Sequence, residues 1–372
     1  MSGHHALGAS SSHRWLYCHG SVEAEKGLPN KSSANADEGS AAHELAELIL
    51  TGANVKDLIG KPLPDNNAFT VTQEMIDYVE IYTSYVQALP GLHFYEERVS
   101  YSDWVEGAYG TADAIAIDAK TKTLYVTDLK YGKGLRVDAD ENSQLMLYAL
   151  GAYAENLMFY QIENVKMAIV QPRLDHISEY EMHMGDLLKW GAWVAEQVEI
   201  IKAGNAPRTP SEKACQWCKA AATCPALKDY AESAILSQFD ELDMPNADTL
   251  TDAQLRKALE SKKLIVSWLD AVERLVKERL EAGGKFDGFK LVAGRSLRKW
   301  GDESEAEQVL ADLLKEDAYE RKLISPAKAE KALGKTKAKQ IQDLIVKPEG
   351  APTLALENDK RQSLSISVDD FD

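Results

Sequence analysis

Long apolar runs are missing from this 372-residue chain. No window approaches the roughly 20 apolar residues of a membrane-spanning helix, so no membrane partner is expected. The opening MSGHHALGASSSHRW lacks a basic start followed by an apolar stretch, so it does not read as a secretory signal, and a cytoplasmic setting is expected. Positive charge is also scarce. Lys and Arg number 42 against 59 Asp and Glu, a formal net charge of -17, which excludes a protein that coats nucleic acid through its overall field. A carboxylate site is compatible with that balance, because a bound divalent ion inverts the local electrostatics. Cysteine is the third scarcity. Cys18, Cys215, Cys218 and Cys224 are too few for a disulfide framework in so long a chain, and the three near residue 220 read better as metal ligands.

What is present is an ordinary globular composition, 45% hydrophobic and 27% charged. The length exceeds one typical domain, so a catalytic body with a smaller appended unit is expected. After a Ser-, Gly- and Asn-rich opening, Asp37 is placed to cap a helix through Ala41, Ala42, Leu45, Leu48 and Ile49 that ends at Thr51-Gly52. A second helix is predicted over about 72–88, stopped by Pro90. The period then falls to two over 95–103, 110–117 and 124–131, a β-meander across the turn segment DAKTKT. Helix returns over 141–158, an apolar strand of the kind buried in a sheet centre follows at 165–173, and a long helix occupies 185–203. Beyond about 235 the chain becomes a charged helical unit in which Ile265, Leu269, Val272, Val276 and Leu280 mark one face, with a further helix starting at Ser325-Pro326. From 348 to 372 it reads as an extended acidic tail. Three parts are therefore expected: 1–234, 235–347 and 348–372.

Strand periodicity puts Asp113, Ile115 and Ile117 on one face of GTADAIAI, and Leu124, Val126, Asp128 and Lys130 on one face of LYVTDLK. If the two strands pair, two carboxylates and an ammonium meet where apolar strands leave the core. Such hard oxygen ligands suit Mg²⁺ or Mn²⁺, and the lysine can orient or deprotonate an attacking water. A D-x-K at a strand end is by itself also a common solvated face.

The order of motifs carries further. Gly39 to His43, Gly110 to Asp113, Asp128 to Lys130 and Gln144 to Tyr148 reproduce, in sequence, G-x-x-x-H, G-x-x-D, (D/E)-x-K and Q-x-x-x-Y. This series resembles the RecB-like branch of the PD-(D/E)XK nuclease superfamily. The resemblance implies an α/β, restriction-endonuclease-like core with a central mixed sheet flanked by helices. It also implies that His43, Asp113, Asp128 and the backbone carbonyl of Leu129 hold Mg²⁺ or Mn²⁺, that Lys130 is catalytic, and that Gln144 and Tyr148 steady the site. Glu97, on the preceding strand, is a candidate for a second metal site and equally an exposed strand carboxylate.

The spacing C-x2-C-x5-C at Cys215, Cys218 and Cys224, with Cys18 far upstream, fits a soft metal on four thiolates, iron–sulfur or zinc. It is similar to iron–sulfur members of the same nuclease group, which include the AddB nuclease domain and CRISPR-associated adaptation nucleases. That similarity implies a [4Fe–4S] cluster stapling the N-terminal segment to the end of the nuclease domain. Tyr131, Lys133 and Arg136 are candidate nucleic-acid contacts, since Gly132 and Gly134 leave the backbone open there, although an ordinary solvated loop reads the same way. Trp217 reads as a base-stacking ring or, more naturally, a core aromatic packed beside the cysteines. The C-terminal segments look similar to the ends of nuclease-like proteins of phages and prophages. The expectation is a metal-dependent DNA nuclease, an exonuclease on single-stranded or end-bearing DNA, working with phage replication or recombination proteins in the bacterial host cytoplasm. The alternative is a catalytically weak DNA-binding recombination scaffold.

Overall fold

Alternating side chains from Leu92 onward build a sheet. In a computed structural model describing residues 5–29, 34–66, 69–236, 251–292 and Val309, strands β1 (Leu92–Ser100), β2 (Tyr109–Asp118) and β3 (Thr123–Leu129) form the expected antiparallel meander. β4 (Asn164–Gln171) runs parallel to β3, and β5 (His176–His183) closes the far edge antiparallel to β4. The parallel pair requires a crossover, supplied by the helix expected over 141–158 and found at Ser143–Asn156. β4 has a neighbour on each side and is buried, as its apolar sequence suggested. β5 is not among the expected strands. Its sequence HISEYEMH alternates half-buried with exposed residues as an edge strand does, but carries few apolar side chains to mark the period.

Short helices α1 (Ser12–Trp15) and α2 (Ser21–Ala24) precede α3 (Ala34–Leu50) and α4 (Gln73–Gln87); α5 (Ser143–Asn156) and α6 (Met184–Lys202) follow. α3 begins three residues before its expected cap, so Asp37 lies in the first turn, where a carboxylate favours the positive helix end. Ala41, Ala42, Leu45 and Ala46 of α3 are buried with Ile76, Val79, Tyr82 and Val86 of α4, in a core that takes in Ala114, Leu129 and Val170 from one sheet face. The opposite face, with Ile115, Ile117, Leu124, Val126 and Met167, packs on α5 and α6. Helices therefore flank a five-stranded mixed sheet, the α/β class expected. α5 is buried without interruption from Leu145 to Ala152, which fixes it against the middle strands. No helix among the described residues is long and apolar enough to cross a membrane.

The cysteine segment carries α7 (Glu212–Cys215) and α8 (Pro225–Leu236), followed by α9 (Asp252–Glu281). α9 falls with the first of two compact units, Met1–Leu291 and Val292–Asp372, and not with a separate unit beginning at 235. Its contact face also differs from the expected one. Leu264 and Ala271 are buried against Cys215, Ala221 and Leu227, with Trp268 packed beside them, whereas Leu269 is 52% exposed. Small and medium side chains allow close approach to the cysteine turns, and this turns the helix away from its longest apolar stripe. The helix expected from Ser325 and the acidic tail lie outside the described residues.

Leu147 is fully buried at the centre of α5. Leu147→Ala should destabilise the fold by about 2–5 kcal/mol, read as a lower denaturation midpoint with unchanged slope.

Candidate metal centre and cysteine pocket

The meander register decides which acids meet. Glu97 pairs with Ala112 and Tyr95 with Ala114, so Glu96, between them, is the residue across from Asp113. On the other side Ala114 pairs with Thr127, and one step further along the same register sets Asp113 opposite Asp128. Glu96, Asp113 and Asp128 thus form a row across three strands; the β1–β2 ladder skips its carboxylate pair and the β2–β3 ladder stops one step short of its own. Like charges placed directly opposite are unfavourable in a sheet. At Glu96 the backbone turns to a φ of 48°, a left-handed conformation uncommon for a residue with a side chain.

Two cations flank the row. From α3, His43 Nδ1 lies 3.3 Å from Asp113 Oδ1 and 3.8 Å from Glu96 Oε1. From the end of β3, Lys130 Nζ lies 2.8 Å from Asp128 Oδ2 and donates to Gln144 Oε1 at 3.2 Å. Gln144 Nε2 donates to Asp128 Oδ1 at 3.0 Å and approaches the Tyr148 hydroxyl at 3.3 Å. The Leu129 amide donates to Asp113 Oδ2 at 2.7 Å. Asn142 caps α5 by accepting from the Gln144 and Leu145 amides, which aims Gln144 and Tyr148 at the strand end. Gly110 has a steric reason to be glycine: a Cβ there would stand 2.5 Å from Tyr148 Cε1. Gly39 has none, since a Cβ there meets nothing within 4 Å.

The structure therefore brings together His43, Asp113, Asp128, Lys130, Gln144 and Tyr148, and adds Glu96 to them. Among the described residues, the one group of three His, Cys, Asp or Glu with ligand atoms within 4.8 Å of one another is His43, Glu96 and Asp113. Asp128 stands beside that group, engaged by Gln144 and Lys130. Glu97 is exposed on the other side of β1 and takes no part; its neighbour Glu96 does. The adjacent acids were visible in the sequence, but only the pairing register shows which one faces Asp113.

The charges adjust to one another. Burial alone holds His43 down, but Asp113, with Glu96 and Asp128 behind it, outweighs this and lifts it to about 10. Burial favours the neutral form of Asp113 as well, yet His43, Lys130 and the Leu129 amide keep it below the usual carboxylate range. For Asp128 burial wins, and with the nearby Asp113 it raises the carboxyl to about 6. Glu96 is raised by burial, partly offset by His43. Lys130 is disfavoured as a cation by burial but held above its ordinary value by Asp128 and Asp113.

Of the candidate nucleic-acid contacts, Tyr131 is only 5% exposed, with Arg173 stacked over its ring, so it belongs to the core and has no face open to a base. Lys133 and Arg136 are exposed, Arg136 pairing with Asp138 at 3.1 Å. The loop that carries them is tied to the sheet: buried Gln171 accepts from the Val137 amide at 2.7 Å and donates to the Leu135 carbonyl at 2.9 Å.

All four cysteines are free thiols lining one pocket, together with Ser21, Arg208, Pro210 and Leu227. The N-terminal segment is fastened to the cysteine segment by contacts of its own. Gly20 N donates to Pro207 O at 3.0 Å, Arg14 pairs with Glu25 at 2.8 Å and donates to Trp217 O at 3.1 Å, and Glu25 accepts from the Lys219 amide at 2.7 Å. The Thr209 amide lies 3.3 Å from Cys18 Sγ. A Cβ at Gly20 would meet Ala206 O at 2.6 Å, so only glycine allows this approach. Burial pushes the Cys18 and Cys215 thiols up, with Cys224 adding to both, and burial pushes Cys218 up to about 12. Trp217 is 63% exposed and is not the core aromatic expected.

Residues 4–362 match the family described as Protein of unknown function (DUF2800), and the chain belongs to that family.

Because His43 keeps its proton to about pH 10 in the fold against an ordinary value of 6.5, its ion pairs contribute stability that is fully present below about pH 6.5 and lost as pH rises towards 10. Melting temperatures of EDTA-treated wild type should fall across that window relative to His43→Gln. Parallel profiles for the two proteins would show that the pair contributes nothing.

Proposed function

We propose that this DUF2800 member is a metal-dependent nuclease that hydrolyses DNA phosphodiester bonds. The observation that carries the reading is the row Glu96, Asp113 and Asp128 across three strands, with His43 at one side and the Lys130–Gln144 pair at the other. His43, Glu96 and Asp113 offer one nitrogen and two carboxylate groups at ligand spacing, and the buried Asp128 carboxylate stands beside them, paired with Lys130. This donor set fits Mg²⁺ or Mn²⁺, the latter tolerating imidazole well. A divalent ion on these residues would supply the Lewis acidity and positive charge that phosphodiester hydrolysis needs.

The chain's own groups have distinct parts in that reaction. Paired with Asp128, Lys130 is placed to donate a hydrogen bond to the attacking water or to a non-bridging phosphate oxygen. Gln144 holds Lys130 and Asp128 in a fixed relation, and Tyr148 backs Gln144. His43 must give up its proton before its Nδ1 can bind an ion, so metal binding should strengthen with rising pH. Exposed Lys133 and Arg136, just past the strand end, are available to a phosphate backbone. A preference for single strands or ends, an exonuclease mode and a role in phage replication or recombination remain part of the proposal on the sequence resemblance alone.

For the cysteines we propose a [4Fe–4S] cluster. Four free thiols lining one pocket supply the thiolate ligands that such a cluster needs.

Anaerobically purified wild type should degrade end-labelled linear or circular DNA with Mn²⁺ or Mg²⁺ and not with EDTA. Lys130→Ala should lose about 10²–10³ in rate; equal activity in the two proteins sinks the catalytic assignment. The same preparation should be brown and contain iron and acid-labile sulfide. Stoichiometric zinc in a colourless protein would overturn the cluster, and Cys18→Ser should lower both iron content and solubility.

A further inference from the structure

Helix α4 carries a tyrosine whose ring the core requires and whose hydroxyl it does not use. Tyr82 is 1% exposed and packs in the core that contains Ala114 and Leu129, the neighbours in sequence of Asp113 and Asp128. Its hydroxyl is buried with no hydrogen-bond partner. A phenylalanine would fill the same space without that penalty, since burying an unpaired hydroxyl is unfavourable.

The surroundings are those of the metal centre. The charges of Asp113, Asp128 and Glu96 all act on the Tyr82 hydroxyl and, together with burial, hold its proton firmly in place, so it is a donor at every physiological pH. The carboxylate oxygens nearby are largely engaged: Asp113 Oδ1 and Glu96 Oε1 by His43, Asp113 Oδ2 by the Leu129 amide, Asp128 Oδ1 by Gln144. Asp128 Oδ2 is taken by Lys130 Nζ at 2.8 Å. The Tyr82 hydroxyl is thus a buried donor left over beside carboxylates that are already engaged, where the water of a hydrated ion would supply an acceptor. Small divalent ions keep several of their waters when bound by carboxylates, and those waters need hydrogen-bond partners.

We infer that Tyr82 is a positioning residue whose hydroxyl donates a hydrogen bond to a water in the hydration shell of the divalent ion held by His43, Glu96 and Asp113. The inference rests on the metal-site reading above and assigns Tyr82 no contact with DNA. Tyr85, on the same helix, is the natural control, because its hydroxyl is engaged with Glu179 on β5.

The test is Mn²⁺ titration of the full chain, followed by electron paramagnetic resonance, with wild type, Tyr82→Phe and Tyr85→Phe, and melting of each protein in EDTA. Tyr82→Phe should bind Mn²⁺ more weakly by on the order of 10-fold, while its melting temperature in EDTA equals or exceeds that of wild type. Tyr85→Phe should bind Mn²⁺ as wild type does. Equal Mn²⁺ affinity in wild type and Tyr82→Phe overturns the role of Tyr82 and leaves the metal site standing. Absence of Mn²⁺ binding in wild type overturns both. Loss of fold in Tyr82→Phe, or an equal loss of affinity in Tyr85→Phe, would make the hydroxyl structural and overturn the inference as well.

Discussion

Three carboxylates placed side by side across β1, β2 and β3 repel one another, and much of the surrounding structure answers that repulsion. Helix α3 sets His43 against two of them, the end of β3 sets Lys130 against the third, and α5 sends Gln144 between the lysine and Asp128. The Leu129 amide is drawn to Asp113 Oδ2. At Glu96 the backbone adopts a left-handed conformation. Each feature is unfavourable or unnecessary alone and becomes intelligible as part of a site that concentrates negative charge in a poorly solvated place. Burial would otherwise protonate these acids, as it does in part for Asp128.

The same sheet makes the charge row possible by being apolar elsewhere. One face is covered by α3 and α4, the other by α5 and α6, so the acids, midway along β1 and β2 and near the end of β3, are held between two cores. Gly110 lets the Tyr148 ring lie directly against β2. At some distance in sequence but within the same compact unit, the N-terminal helices reach the cysteine segment through Arg14, Gly20 and Glu25, so the two ends of the sheet-bearing region are joined by hydrogen bonds and ion pairs as well as by the shared cysteine pocket.

Periodicity was a sound guide where a residue's role depends on its own strand or helix. The meander, the crossover helix and the long helix before the cysteines were all legible, because alternation and 3.6-residue spacing are local properties. The edge strand β5 was not, since its polar side chains carry too little apolar contrast to reveal a period. The face that α9 buries departs from its periodic stripe for a related reason: its longest apolar stripe is not the one that fits the close-packed turns around Cys215 and Ala221. Tyr131 and Trp217 exchanged the roles expected of them, the first buried under Arg173 and the second exposed, because exposure is settled by neighbours distant in sequence.

By itself the sequence determined the α/β class, the place of Asp113, Asp128 and Lys130 on neighbouring strands, and the gathering of three cysteines within ten residues of one another. These follow from composition, period and spacing. Only the tertiary structure decided that Glu96 and not Glu97 faces Asp113, that Asp128 is taken up by Gln144 and Lys130, that Cys18 reaches the other cysteines, and that the Tyr82 hydroxyl is buried without a partner. The physical reason is the same in each case. Strand register and helix docking are set by the packing of whole elements; a shift of one residue turns every strand side chain to the other face and rotates a helix by about 100°.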